Sequence, residues 1–358
     1  MKFLIHLGHP AHFHLFKNIL KFLEKKGHKI FLVINGKDIL EELLIKEKIN
    51  YYKILKSKKG KSYFEMILRQ IISIFKLLIF SYKHKINIFM GSTPLVSHVG
   101  FITRKPSFLL VEDDAEIVPL FAKITYPFAS YIITPNVCSV GEWSHKKIGV
   151  DSYHELAYLH PNHFTPSKSI AEKYIKTSNN YFIIRFSKLG AYHDKGISGI
   201  SNDIAKKIIL NLKKHGDVYI TSERVIDAEL EQYRISVNPI DIHHLMAFSS
   251  LFIGDSQTMA AEAAVLGVPF VRFNDFVGKI SYLNELENHY NLGFGINSQN
   301  SDQLIKKVQE LLNDNDKKKL FKIKKEKMLS EKIDYAIFIC ELLDDYCKNS
   351  KIVDSSSI

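Results

Sequence analysis

The stretch Gly254-Asp-Ser-Gln-Thr-Met-Ala-Ala-Glu-Ala-Ala-Val-Leu-Gly-Val-Pro269 constrains the fold of this chain more than any other. It follows an apolar run, Ser250-Leu-Phe-Ile253, that reads as a short buried strand. Gly254, Asp255 and Ser256 make a turn. Thr258 to Leu266 is rich in Ala with almost no β-branching, so a helix is predicted there. Gly267 fits the position just past its end, and Pro269 forbids continuation. The next strand is Phe270-Val-Arg-Phe273. Strand, tight polar turn, helix and strand form the unit from which parallel sheets are built.

A helix opening from such a turn presents unpaired N–H groups and a positive dipole end, and both suit a phosphate. Ser256 and Thr258 add hydroxyls, and Gln257 adds an amide. Glu262, at i+4 from Thr258, faces the same end. A carboxylate there can accept hydrogen bonds from two vicinal ribose hydroxyls. Taken alone, the stretch is equally an ordinary βα unit with a capped helix and a solvent-facing Glu.

The alternation recurs along the chain. Phe3 to Leu7 reads as a strand, Gly8 to His14 as its loop, Leu15 to Lys26 as a helix ended by Gly27, and Lys29 to Ile34 as the next strand. A helix over Lys37 to Lys48 and strands at Tyr51–Leu55, Ile86–Met90, Ser107–Val111 and Tyr131–Thr134 follow. Polar Asp151 to Thr165 reads as an interdomain link. Beyond it come strands Tyr181–Ile184 and Asp217–Ile220, with a helix over Asn202 to His215 between them. Helices are expected over Ser301–Leu312, Asp316–Lys332 and Tyr335–Cys347, then a frayed polar tail. A chain of 358 residues is too long for one ordinary core. The expected domains are 1–163 and 164–334, with 335–358 a helix crossing back to the first domain and then the tail.

Four segments carry a family resemblance. They are Leu7-Gly-His-Pro-Ala-His-Phe-His14, Tyr153-His-Glu-Leu-Ala-Tyr-Leu-His-Pro161, Ser222-Glu-Arg224 and Gly254-Asp-Ser-Gln-Thr-Met259. They resemble the domain-of-unknown-function 354 family of predicted glycosyltransferases, from the N-terminus to about Tyr335. The 254–269 stretch also resembles the nucleotide-sugar site of GT-B glycosyltransferases such as the N-acetylglucosamine transferase that makes lipid II. Glu262 and Gly267 keep that site's interval of five. The resemblance implies a GT-B α/β fold, two doubly wound Rossmann-like domains facing a cleft. It implies an acceptor in the first domain and a nucleotide sugar, with UDP as the expected carrier, in the second. The acceptor would be a surface polysaccharide or a lipid-linked glycan precursor. No cofactor and no metal is expected, because a helix N-terminus and a basic side chain can neutralise the leaving diphosphate.

The candidate residues follow. His9, His12 and His14 lie where a strand's carboxyl end meets the ligand crevice of an open α/β sheet. A His there can act as a general base. Metal ligation and plain packing compete with that role, but no Cys or paired carboxylate completes a metal set. By the resemblance, His12 or His14 is the base, oriented by Asp113 or Asp114 of Val111-Glu-Asp-Asp114, with His9 and Glu112 meeting the acceptor. Arg185 and Ser187 are assigned to the pyrophosphate, since Arg suits phosphate geometry. Ile242 sits by position where the base of the nucleotide is met. Asp255, Ser256, Gln257, Thr258 and Glu262 complete the nucleotide set. Asn274, Asp275 and Lys279 are expected at the donor sugar, with a plain surface loop as the alternative.

Composition narrows the partners. The chain is 46% hydrophobic and 24% charged, as in globular proteins. Its net charge of +11 favours anionic partners, although the abundance of Lys, Ile and Asn also points to coding bias. Three scattered cysteines fit a reducing compartment without disulfides. No signal peptide or spanning run is recognised, so the expected location is cytoplasmic. Ser62 to Phe80 is unusually apolar, with Arg69 and Lys76 inside it and lysines flanking it. It reads either as a helix buried on the sheet or as an apolar face on an anionic membrane.

Two rival functions remain. A non-hydrolysing UDP-N-acetylglucosamine 2-epimerase shares the fold. Its His-Arg-x-Glu-Asn segment is replaced here by Arg185-Phe-Ser-Lys188, while Glu112 and Asp113 sit where it keeps an acid. A basic nucleic-acid-binding protein is the other, but the lysines are dispersed and no recognition motif is present, so no nucleic acid is expected.

Overall fold

The computed structural model describes residues 1–36, 38–55, 63–175, 180–188 and 198–349, apart from the side chains of residues 38, 63 and 64. The lysines at 56, 58, 59 and 61 and all of the expected frayed tail, Asn349–Ile358, except Asn349 lie outside the described residues. The chain divides into two compact units. One holds Met1–Tyr158 and the segment from Ile333 onward, and the other holds Leu159–Lys332. The expected boundaries were 163/164 and 334/335.

The first unit is built on a seven-stranded sheet, every pair parallel. Its strands are β1 (Lys2–Leu7), β2 (Lys29–Asn35), β3 (Tyr52–Leu55), β4 (Ile88–Gly91), β5 (Ser107–Leu110), β6 (Tyr131–Pro135) and β7 (Lys147–Val150). Their order is β3-β2-β1-β4-β5-β6-β7. Helices α1 (Pro10–Lys25), α2 (Asp38–Lys46), α3 (Tyr63–His84), α4 (Pro94–Thr103) and α5 (Pro119–Thr125) lie between successive strands. Central strands such as Phe-Leu-Ile-His-Leu in β1 are buried along almost their whole length, as expected when helices cover both faces. The C-terminal helix Tyr335–Asn349 packs on α1.

The second unit carries β8 (Tyr181–Phe186), β9 (Asp217–Ser222), β10 (Leu251–Gly254), β11 (Phe270–Phe273) and β12 (Gly293–Ile296), again all parallel, in the order β12-β11-β10-β8-β9. The helix after β10 is Gln257–Leu266. Ser256 caps it, its Oγ accepting the Met259 N–H at 3.3 Å. Gly267 ends it at φ 77°, a left-handed conformation that glycine adopts without a Cβ penalty. Residues 260–266 are all buried, so Glu262 does not face solvent.

Two expectations are corrected. The segment after β1 is not a loop to His14. Helix α1 begins at Pro10, with His9 as its cap, its Nδ1 accepting the Ala11 N–H at 3.2 Å. Proline favours the first helical position because its missing N–H is not needed there. The boundary between the units, Tyr158/Leu159, falls inside the 151–165 stretch read as the link, although Tyr153 and Leu156 within it are fully buried. Arg185 is the fifth residue of β8, not part of the loop after it. Strands β7 and β12 were not foreseen.

The two sheets reverse strand order at β1/β4 and at β8/β10. In open α/β sheets ligands bind outside the carboxyl ends of strands at such reversals. Gly8 to His12 follows one of them, and Ser187 and Asp255 follow the other.

Candidate functional site

In the second unit, Asp255 ties the loops at the β8/β10 reversal together. Its Oδ1 accepts the Ser187 N–H at 2.6 Å, and its Oδ2 accepts the Ile200 N–H at 3.3 Å and the Arg224 guanidinium at 3.0 Å. Burial pushes its pKa up, against the pull of the Ser187 N–H and Arg224. Arg224 also lies over the Phe186 ring. Arg185 is ion-paired with Glu223, whose other oxygen accepts the Lys188 N–H. Of the residues expected at the pyrophosphate, the structure thus joins Ser187 to Asp255 directly and places Arg185 on the neighbouring carboxylate.

Behind this junction the helix Gln257–Leu266 presents its N-terminus, with Ser256, Gln257 and Thr258 partly exposed there. One turn in, the Glu262 carboxylate is buried, and its Oε1 is hydrogen-bonded to His243 Nε2 at 2.9 Å. His243 belongs to the helix Ile242–Ala247, so Ile242 stands next to the residue that fixes Glu262.

The loop after β11 is anchored from within. Arg272, fully buried, holds both oxygens of Glu287, at 2.9 and 3.1 Å. It also donates to Asn274 Oδ1, which accepts the Phe276 N–H, while Asn274 Nδ2 donates to the Asp255 carbonyl. Asn274 is 0% exposed, and its amide supports the loop from inside. Asp275 accepts the Ser198 N–H at 2.7 Å and the Ser298 hydroxyl. Lys279 is exposed.

In the first unit the loops after β1 and β4 are stitched by Thr93. Its Oγ1 is 2.7 Å from His6 Nδ1, and a Cβ on Gly8 would come within 2.6 Å of its methyl. Position 8 therefore needs glycine for close approach, not for its dihedrals. Gly8 donates its N–H to His12 Nδ1 at 3.1 Å. A neutral His12 ring must then carry its proton on Nε2, so it is set up to donate there and not to accept. His14 is buried on α1, beside Phe13 and Tyr158. Asp114 is buried and accepts the Ser139 N–H at 2.7 Å, which joins the β5 and β6 loops.

Glu112 stands apart from these fold-holding groups. Its Oε1 accepts the His154 N–H at 2.8 Å, and its Oε2 lies 3.5 Å from His154 Nδ1. Burial, with a smaller contribution from the Asp113 charge, pushes the Glu112 pKa up to about 8, against the pull of the His154 N–H. Burial pushes His154 down to about 3. Tyr335 packs edge-on against the His154 ring, and its hydroxyl has no hydrogen-bond partner among the described residues. Burial thus favours a neutral carboxyl beside a neutral imidazole over the charged pair.

A cavity of about 730 Å³, lined by Phe101, Arg104, Lys105, Phe128, Tyr131 and Lys146 among others, opens where β5 and β6 begin. That is the opposite end of the sheet from the crevice, so it is separate from this chemistry. Among the described residues no group of three or more His, Cys, Asp or Glu is placed to hold a metal ion.

The family model described as protein of unknown function (DUF354) matches residues 1–337. The chain belongs to this family. No curated protein matches this DUF354 chain in sequence. Among solved structures it is similar to S. aureus MnaA in complex with UDP (TM-score 0.68, 14% identity, 98% of this chain and 96% of that one). It is similar to the spinosyn forosaminyltransferase SpnP (TM-score 0.67, 12% identity, 98% and 100%). It is also similar to UDP-GlcNAc 2-epimerase from Neisseria meningitidis bound to UDP-GlcNAc (TM-score 0.60, 16% identity, 92% and 100%). At these identities the likeness is one of fold: the DUF354 chain has the GT-B architecture of two Rossmann-like α/β domains.

Sequence reasoning did not single out His243, Arg224, Glu223, His154 or Tyr335 as site residues. Four of the five were visible. His154 and the Glu223–Arg224 pair lie inside the family-like segments, and His243 is next to Ile242. Their partners lie elsewhere in the sequence, at Arg185, Glu262, Asp255 and Glu112.

Proposed function

We propose that the chain is a metal-independent glycosyltransferase that takes a sugar from a nucleotide diphosphate, with UDP as the carrier, and passes it to a polysaccharide or glycolipid precursor. The observation that carries this reading is the Glu262–His243 pair, set one turn behind a helix N-terminus at the β8/β10 reversal. The helix N-terminus suits the diphosphate, and the fixed carboxylate suits the ribose hydroxyls. Ile242 is then beside the base, and Asp275 and Lys279 border the donor sugar. The solved structures bound to UDP and to UDP-GlcNAc support the choice of carrier. In the first unit, Glu112 is the group suited to take the acceptor proton, since His12 is held as a donor. No cofactor enters this scheme.

Thermal-shift titration with UDP, UDP-sugars and other nucleotides tests the proposal. At a hundred times its Kd, a ligand adds about 2.7 kcal/mol of stability. A protein whose melting temperature responds to none of them does not bind a nucleotide sugar.

One observation favours a second reading. A buried carboxyl that titrates near pH 8 could exchange a proton with the sugar carbon beside the anomeric centre, as a 2-epimerase requires. Arg185-Phe-Ser-Lys188 speaks against it. Incubation with UDP-GlcNAc in the absence of acceptor separates the two. An epimerase changes the sugar's configuration, whereas a transferase leaves it intact until an acceptor is supplied.

A further inference from the structure

Helix α3 is apolar on both sides. The side turned to the sheet carries the buried Leu77, with Ile74, Leu78 and Phe80 packed on the core, beside the buried Ser73 and Ser81. Each serine hydroxyl donates back to its own helix, to Arg69 O and Leu78 O at 2.8 Å. Further large apolar side chains point outward: Phe75 is 62% exposed, and Ile79 and Tyr82 are each 68% exposed. A helix whose outer face met only water would carry polar residues there. The patch continues onto neighbouring helices. α3 packs on α4, where Phe101 is 61% exposed, and α4 packs on α5, where Ile124 is exposed.

The charges on and just beyond these three helices are one-sided. Arg69, Lys76, Lys83, Lys85, Arg104, Lys105 and Lys123 are cationic, against Glu65 on α3 and Glu116 just before α5. Arg104 and Lys105 follow the end of α4 and line the cavity described above. No helix among the described residues is long and apolar enough to cross a membrane.

We infer that the α3–α4–α5 face of the first unit lies on an anionic lipid bilayer. The exposed apolar side chains enter the acyl boundary and the cations around them meet headgroup phosphates. Charge decides between this occupant and a second copy of the chain. A two-fold dimer would set the cationic rim against itself, because the same patch meets its own image. An anionic surface complements the rim instead, and each basic residue near such a surface strengthens binding roughly fivefold. The inference rests on this face alone and is independent of the nucleotide-sugar reading.

Vesicle flotation of the full chain tests it, using phosphatidylglycerol-containing and pure phosphatidylcholine vesicles at low and high salt, with light scattering on the same samples. The expected result is binding to the anionic vesicles, at least tenfold weaker on the neutral ones and weakened by salt. Phe75→Ser with Ile79→Ser should abolish flotation while leaving the melting temperature unchanged. If that variant unfolds, Phe101→Ser on α4 and Lys76→Glu with Lys83→Glu carry the same test, and each should weaken flotation. No flotation of the unaltered chain on anionic vesicles overturns the inference. So does a dimer that Phe75→Ser dissociates while vesicle binding is untouched, since the face would then belong to a second copy.

Discussion

Glu112 and His154 meet twice: the His154 backbone N–H donates to one carboxyl oxygen at 2.8 Å, and the His154 ring nitrogen Nδ1 lies 3.5 Å from the other. Glu112 is held up at about 8 from an ordinary 4.5, and His154 down at about 3 from 6.5. The stability due to Glu112 is therefore complete below pH 4.5 and is lost as pH rises through 8. That due to His154 is complete above 6.5 and is lost as pH falls through 3. Between 4.5 and 6.5 the two slopes oppose each other. Glu112→Gln should gain melting temperature relative to wild type as pH rises from 6.5 to 8, and His154→Phe should gain as pH falls from 4.5 to 3. Parallel wild-type and Glu112→Gln profiles across pH 6.5–8 would show that the carboxyl is not protonated in the folded chain.

The same carboxyl sets the expected pH–rate profile. A base works deprotonated, so turnover should rise with pH through about 8 if Glu112 takes the acceptor proton. A histidine base would place that limb at roughly 6 to 7. Glu112→Gln should cut turnover by about a hundredfold or more, with nucleotide binding kept, because the nucleotide residues belong to the other unit. An unchanged rate in that variant rules Glu112 out as the base and leaves Asp113 as the next carboxyl to test.

The Glu262–His243 pair should separate binding from folding. Glu262→Gln keeps the shape and removes the charge, so nucleotide affinity should fall about tenfold or more while the melting temperature holds. His243→Phe takes the imidazole from a buried carboxylate and should cost about 1–3 kcal/mol of stability. Denaturant unfolding and nucleotide titration of both variants check this. Equal nucleotide affinity in Glu262→Gln would remove the observation on which the nucleotide reading rests.

Arg272 and Glu287 form a fully buried, two-pronged ion pair under the β11 loop. Breaking it from one side leaves a bare charge, so Arg272→Met should destabilise by about 3–5 kcal/mol. Replacing both partners, Arg272→Met with Glu287→Leu, should recover much of that loss, because no unpaired charge remains. Denaturant midpoints of the three proteins decide it.

The sequence made the βα alternation legible because strands buried on both faces are continuous apolar runs and helices repeat on a different period. The helix after β10 was readable down to its caps, since Ser256 and Gly267 act locally. The start of α1 was missed because His12 and His14 interrupt the apolar pattern, although His9 and Pro10 were a start signal. β7, four residues at a sheet edge with Lys147 and Gly149 among them, has little apolar pattern to read. Residues after β1, β8 and β10 could be placed at the carboxyl ends of strands from the βα alternation alone. What each side chain is bonded to could not, because Asp255 meets groups 68 and 31 residues away along the chain, and spacing carries no trace of such pairings.

The Asp255 junction also limits how this protein can diversify. Three loops that end on one carboxylate cannot drift separately: a substitution that shifts one drags the other two, and most such changes spoil all three. On the nucleotide-sugar proposal, a change of donor preference is then expected at tips beyond the knot, at positions such as Lys279, and not within it.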